Sequence, residues 1–175
     1  MIVSPFCTIG PFFPFEFADE LSDMAEHAIG TPIIVTGRVL EEGLGPTRNS
    51  IVEFWQPDSN GIFRHPLDPR FAEADPGFPG FGRARTDHDG WYRIRTVLPG
   101  APVGRAPHIN VMVLAIGLTR RLVTTVFFSD APDPVLECVP PALRSRLIAG
   151  KHPDTETYRF DLILRGENET PFFAD

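Results

Sequence analysis

The sequence predicts an all-β protein, an antiparallel β-sandwich of about eight strands with long loops and one or two short helices. Short β-rich segments alternate with turns along most of the chain, and there is no regular strand–helix–strand alternation of the kind that builds parallel sheets. The 19 prolines and 15 glycines are spread over the 175 residues and leave few windows long enough for a helix. A chain of this length is sufficient for about one domain, so we expect a single domain over residues 1–175 that begins with an extended arm, residues 1–15.

The arm is apolar and rich in phenylalanine, and its prolines exclude a helix and disfavour a central strand. Segments of this composition seldom stay in water, so we expect the arm to pack on its own domain or to insert into a partner. Acidic residues followed by apolar residues at helical spacing predict one short helix over residues 16–29, which ends at Gly30.

Strands are predicted where β-branched and aromatic residues recur between turns. Residues 33–40 and 50–55 flank a segment with glycines and a proline and predict a hairpin-like pair. Residues 91–97 alternate apolar and charged side chains, which is the pattern of a half-buried strand. A second short helix is compatible with residues 142–151. The other predicted strands are residues 83–86, 108–117, 121–128 and 157–164.

A long irregular segment, residues 62–82, carries four prolines and four phenylalanines with almost no periodicity. Loops of this length inside a compact domain are usually functional or interfacial.

Charge and composition exclude several classes of function. The 16 basic and 23 acidic residues give a formal net charge of −7 without a long basic cluster, so neither nucleic acid nor an anionic membrane is expected as a partner. The longest apolar run, residues 109–118, is about half a bilayer span, so we expect no transmembrane helix. The start of the chain lacks the basic region of a secretory signal, and Cys7 and Cys138 match no metal-binding spacing. We therefore expect a cytoplasmic protein with free thiols.

The segment 105–110 is the strongest candidate for chemistry. It follows a turn and opens an apolar strand, and His108 and Asn110 stand two residues apart, so both side chains point to the same face. Imidazole is a good ligand for a transition metal, whereas a neutral amide is a poor one. The segment is therefore a metal site, the remnant of one, or ordinary strand. Phosphate-binding loops, nucleophile elbows and Cys-x-x-Cys motifs are absent from the sequence.

Eight short segments, in order over nearly the whole chain, resemble the intradiol ring-cleavage dioxygenases. None is diagnostic alone, but the ordered set is specific. The segments are residues 7–12, 52–61, 81–83, 89–92, 98–100, 106–110, 158–161 and 165–170.

The resemblance implies a nonhaem ferric iron held by two tyrosines and by two histidines in a His-x-His pair. Here the pair is His108 and Asn110, Phe63 stands where the first tyrosine is expected, and Pro102 falls at the second. The chain has only two tyrosines, Tyr92 and Tyr158, and neither stands at an expected ligand position. Because three of the four ligands are missing, we expect no metal and no catalytic residue in this chain.

Such a loss resembles the alpha chain of the family's hetero-oligomeric members. There a beta chain of the same fold holds the Fe(III), and the arm of the alpha chain helps to wall the beta chain's pocket for an aromatic diol. By this resemblance Thr8, Gly10, Pro11 and Phe12 would line the partner's pocket, since a Gly-Pro turn exposes backbone and phenylalanine offers an apolar face. Plain interdomain packing of the arm is the alternative. Arg105 matches an arginine of the catalytic chains and is expected to form a structural ion pair.

Three functional hypotheses follow. The chain is the non-iron subunit of an intradiol dioxygenase, inactive by itself, or it is a β-sandwich interaction module that kept the fold and lost catalysis. A neighbouring gene that encodes a chain with both tyrosines and a His-x-His pair would favour the first of these. The third hypothesis is an enzyme that uses His108 with unfamiliar ligands, but the sequence offers no second or third ligand.

Overall fold

The computed structural model of the protein describes residues 21–41, 43 and 45–174. In this part of the chain ten strands form two sheets, together with a single α-helix, α1 (Pro134–Cys138), and 3-10 helices at Phe71–Glu73 and Pro141–Leu147. The strands are β1 (Pro32–Glu41), β2 (Gly45–Pro46), β3 (Ile51–Trp55), β4 (Phe81–Arg85), β5 (Trp91–Val97), β6 (His108–Leu114), β7 (Leu122–Phe127), β8 (Gly150–Lys151), β9 (Thr157–Arg159) and β10 (Leu162–Ile163).

The first sheet is built around β1, which pairs antiparallel with β2 and β5 and parallel with β9 and β10. Strand β8 extends this sheet through an antiparallel pair with β9. The second sheet has the order β4-β3-β6-β7 and is antiparallel throughout. The predicted all-β sandwich is confirmed.

The core lies between the two sheets and is filled by one face of each strand. Alternate residues of β1 are buried, and Ile33, Val35 and Val39 pack in the same apolar cluster as Phe54 of β3 and Val111 of β6. Because successive side chains of a strand point to opposite faces, His108 and Asn110 lie on the face of β6 that points away from this cluster. The second sheet therefore carries the candidate ligand positions on its outer face.

The predicted hairpin-like pair is wrong, because its two strands lie in different sheets. Strand β1 pairs with β5, whereas β3 pairs with β4 and β6. Both strands have one buried face. The alternation of apolar and polar residues in the sequence indicates that burial, but it does not indicate which strand is the neighbour.

The helix predicted over residues 16–29 is also wrong in the part that the structure describes, residues 21–29. Leu21 O accepts a hydrogen bond from Arg83 N at 3.0 Å, and Met24 N donates to Arg95 O at 2.7 Å. The segment therefore runs along the edges of β4 and β5, where it pairs backbone groups that a helix would leave without partners.

The C-terminal part differs from the prediction in three ways. Instead of one helix over residues 142–151, the 3-10 helix Pro141–Leu147 is followed by β8. The last predicted strand is divided into β9 and β10, and α1 was not predicted. None of the helices among the described residues has the length and hydropathy needed to cross a membrane.

Two glycines bring distant loops together beneath the candidate site. Asp58 O accepts hydrogen bonds from Gly61 N at 3.0 Å and from Gly100 N at 2.9 Å. A Cβ on Gly61, whose φ is +76°, would lie 2.1 Å from the carbonyl oxygen of Ala101. Only glycine permits this approach, which carries Phe63 and Pro102 towards each other.

A buried carboxylate joins the start of β6 to the start of α1. Asp133 Oδ2 accepts from Arg105 Nε at 2.7 Å and from Ala106 N at 2.9 Å, while Oδ1 caps α1 by accepting from Val135 N at 2.8 Å. The expected ion pair of Arg105 is thus present. Burial pushes the pKa of Asp133 upward, but the Arg105 and backbone donors outweigh it and hold that pKa below its usual value. The carboxylate is therefore charged and fixes the backbone that leads to His108.

We expect Gly61→Ala to lower the free energy of unfolding by about 3 kcal/mol, because its Cβ would collide with the backbone at Ala101. The matched control is Gly43→Ala, since Gly43 also has a positive φ, +81°, but nothing within 4 Å of the added Cβ. The control should lose only the roughly 1 kcal/mol of backbone strain. Urea unfolding measures both, and equal losses would contradict the close approach.

Asp133→Ala should lower the free energy of unfolding by about 3 kcal/mol at neutral pH, because it removes a helix cap and leaves Arg105 and the Ala106 N–H without their acceptor. The exposed Asp130→Ala serves as the control. Because the folded pKa of Asp133 lies below its unfolded value of about 3.9, the charge stabilises the fold above roughly pH 4, and this contribution is lost as the pH falls through the folded pKa. In urea titrations from pH 7 downward, a difference between wild type and variant that does not shrink below about pH 4 would rule out the ionic role.

Candidate functional site

The four expected ligand positions converge at one end of the outer face of the second sheet. His108 and Asn110 share that face of β6, and the ring of Phe63 lies 6.3 Å from the ring of His108, centroid to centroid. Phe63 and Pro102 line the same cleft. The fold thus brings the four positions together, and three of them lack a good metal ligand.

His108 is a buried, neutral imidazole. Its Nδ1 lies 2.7 Å from Ala106 O, and in the neutral tautomer that donates this hydrogen bond the lone pair is on Nε2. Burial lowers the pKa of His108, helped by Arg105, and outweighs the opposing effects of the Ala106 carbonyl and of Asp133. Nε2 is buried and has no hydrogen-bond partner among the residues that the structure describes.

The ring of His108 lies between two phenylalanines, 6.3 Å from Phe63 and 6.0 Å from Phe127, centroid to centroid. Its surroundings are therefore apolar on both sides. The histidine takes part in one backbone hydrogen bond and in packing.

The side chain of Asn110 is hydrogen-bonded to the neighbouring strand β7. Its Oδ1 accepts a hydrogen bond from Thr125 Oγ1 at 3.3 Å, across the β6–β7 pair in which these two residues face each other. The amide oxygen is thus used within the sheet.

Phe63 belongs to a loop organised around Asp68. Its ring stacks on Trp55 with centroids 6.0 Å apart and planes 16° apart, and His65 meets Trp55 edge-on at 6.1 Å. Asp68 accepts hydrogen bonds from the backbone N–H of Arg70 at 2.9 Å and of Phe63 at 3.0 Å. These two donors hold the pKa of Asp68 below its usual value.

Between this loop and the turn that carries Pro102 lies a cleft of about 640 Å³, which we call the aromatic cleft. At its rim Leu67 and Val103 are 86% and 81% exposed. The cleft is lined by Trp55, Phe63, His65, Leu67, Asp68, Pro69, Arg70, Pro102 and Val103.

The donor set does not fit a ferric ion. Phe63 and Pro102 offer no side-chain donor, and the amide of Asn110 is already bonded to Thr125. That leaves His108 as a single imidazole, whereas iron of this kind needs several imidazole or anionic oxygen ligands. In residues 21–41, 43 and 45–174, no group of three or more His, Cys, Asp or Glu side chains is placed to hold a metal.

Sequence reasoning missed two parts of this region, the Asp133 anchor and the Asp68–Arg70 side of the aromatic cleft. The first had a signal, since Asp133 followed by Pro134 is the N-cap and N1 pattern of a helix start. For the Asp68–Arg70 side of the cleft, the sequence gives no signal beyond its place in an irregular loop. Thr8, Gly10, Pro11 and Phe12, the predicted contributors to a partner's pocket, lie outside the described residues.

The chain is similar to known dioxygenases over most of its length. A family model described as Dioxygenase matches residues 14–166. The protocatechuate 3,4-dioxygenase alpha chain of Burkholderia cepacia is 33% identical over 192 aligned positions, which cover 97% of this chain and 96% of that protein. The protocatechuate 3,4-dioxygenase beta chain of the same organism is 41% identical over 160 positions, which cover 82% of this chain and 68% of that protein.

Among solved structures, the dioxygenase domain of a dioxygenase–carbohydrate-binding fusion from Streptomyces sp. SirexAA-E superposes with a TM-score of 0.63 and 24% identity, covering 95% of this chain and 98% of that one. At that identity the likeness establishes the fold alone. The family match spans most of the chain, and the alpha-chain relative aligns with it almost from end to end. The chain is therefore a member of the intradiol ring-cleavage dioxygenase family.

Proposed function

We propose that this chain is the alpha, non-iron-binding subunit of a protocatechuate 3,4-dioxygenase. In this role it supports the intradiol cleavage of 3,4-dihydroxybenzoate by O2 to 3-carboxy-cis,cis-muconate at the Fe(III) of a beta chain. The observation that carries the proposal is the convergence of Phe63, Pro102, His108 and Asn110 on one place with a single imidazole as the remaining metal ligand.

The higher identity to a beta chain does not oppose this assignment. Identity averaged over 160 positions reflects the shared sandwich, whereas iron binding depends on a few donor atoms. Those atoms are missing here, and the alignment to an alpha chain covers 97% of this chain, against 82% for the beta chain.

The contribution of the chain to catalysis is then structural and lies at the subunit interface. The arm, with four phenylalanines in residues 1–15, is the segment assigned to the partner. Thr8, Gly10, Pro11 and Phe12 would wall the beta chain's pocket, where Phe12 excludes water beside the ring of the aromatic diol. The complex is a cytoplasmic hetero-oligomer whose iron is bound by the beta chain.

Purified alone, the chain is expected to be colourless, free of iron and inactive, because one imidazole is too few ligands for a stable ferric site. Co-expressed with a beta chain that has both tyrosines and the His-x-His pair, it should give a red-brown complex that cleaves protocatechuate. Metal analysis and visible absorption measure both. A ferric-tyrosinate band from the lone chain would overturn the proposal, and failure to assemble with any such beta chain would favour an interaction module.

Substitutions in each of the two chains of this complex test which chain holds the iron. His108→Gln in this chain should leave the iron content and kcat of the complex unchanged, while substitution of the His-x-His pair in the beta chain should remove the iron. Loss of iron from an intact complex that carries His108→Gln would place the metal in this chain instead.

Deleting residues 1–14 should weaken assembly with the beta chain or raise the KM for protocatechuate, since it removes a pocket wall and an apolar anchor. As a finer test, Phe12→Ala should raise KM by about tenfold, the value of one buried aromatic contact. Phe6→Ala, in the same arm but outside the pocket segment, is the matched control. Steady-state kinetics and size-exclusion chromatography report on the two effects, and unchanged values after the deletion would exclude the role of the arm.

A further inference from the structure

We propose that the aromatic cleft is a binding site for a small aromatic carboxylate, at which no reaction takes place. The site belongs to this chain alone and does not depend on the identity of its partner. It is built from one aromatic wall, one apolar wall and one fixed cation.

The aromatic wall is suited to a planar ring. Trp55, at the end of β3, and Phe63 stack nearly parallel, and His65 meets Trp55 edge-on, so that three rings line the cleft. Pro102 and Val103 come from a separate turn and supply the opposite apolar lining. Aromatic rings pack favourably in such stacked and edge-on arrangements.

The fixed cation is Arg70. Its Nη2 donates to Gly61 O at 2.6 Å, which holds the guanidinium in place and uses one of its five N–H donors. A carboxylate can accept two parallel hydrogen bonds from such a group, and the partial burial of Arg70 strengthens them.

The acidic neighbour does not cancel this charge. Asp68 lies 3.6 Å from Arg70 Nε, but it also accepts two backbone hydrogen bonds, and its side chain is 11% exposed against 31% for Arg70. Both groups line the cleft, and the guanidinium is the more exposed member of the pair. In addition, the Nδ1 of His65 accepts from Leu67 N at 3.2 Å, which leaves its ring proton on Nε2 as a second donor in the lining.

The size of the cleft is also suited to a small molecule. About 640 Å³ lies within the usual range for small-molecule sites, roughly 300–1,000 Å³. Phe63 and Pro102 contribute no metal ligand to the lining, so recognition depends on ring stacking and on the guanidinium. A molecule with both a ring and an acid group uses both features.

The two tryptophans of the chain allow a direct test. Trp91→Phe leaves Trp55, in the wall of the cleft, as the single tryptophan reporter. In the full chain with this substitution, benzoate should change the fluorescence of Trp55 with saturation. Cyclohexanecarboxylate, which lacks the aromatic ring, and benzyl alcohol, which lacks the acid, should each bind about tenfold more weakly.

Two pairs of variants in the Trp91→Phe background distinguish binding in the cleft from binding elsewhere on the protein. Arg70→Met should weaken benzoate binding about tenfold, whereas Arg93→Met, an exposed arginine on β5, should leave it unchanged. If Arg70→Met fails to fold, Val103→Asp supplies the same answer, because it places a negative charge at the rim, and Ile116→Asp on a distant exposed surface is its control. A response that does not saturate, equal binding of all three probes, or insensitivity to both cleft variants would overturn the proposal.

Discussion

The buried carboxylate of Asp133 is the interaction on which the candidate site depends. It accepts hydrogen bonds from the side chain of Arg105, from the backbone of Ala106 and from the first turn of α1, so that β6 and α1 start from one anchor. The carbonyl of Ala106 in turn receives Nδ1 of His108. The carboxylate of Asp133 therefore fixes the backbone of Ala106, and Ala106 in turn orients the imidazole of His108. Packing of α1 and the 3-10 helix Pro141–Leu147 around Phe127 covers this end of the sheet.

The four expected ligand positions lie together, but among them only His108 carries a good metal ligand. Backbone geometry brings Phe63, His108 and Pro102 into one region, and Gly61 allows the two loops to meet. Side-chain atoms then limit metal binding, because a phenyl ring and a pyrrolidine ring offer no donor atom to a metal. The result is a largely aromatic and apolar cleft, bordered by Asp68 and Arg70, beside a buried histidine.

Strand positions were largely predictable, whereas strand neighbours were not. Residues 91–97 are a strand in the structure as in the prediction, because apolar and charged residues alternate with the period of a half-buried strand. The same signal misplaced β1 beside β3, since it records one buried face and carries no information about the adjacent strand. Residues 21–24 have helical spacing, but the open edges of β4 and β5 offered backbone partners that outweighed that preference.

The sequence by itself determined which donor atoms are missing, because the presence of a phenolate or an imidazole is a property of residue type. It also determined that His108 and Asn110 share a face, since that follows from the two-residue period of a strand. Only the tertiary structure decided that Phe63 lies against His108, that Asp133 anchors both β6 and α1, and that Arg70 borders an aromatic cleft. Those contacts join segments far apart in the chain, and their distances are set by the packing of two sheets rather than by local preference.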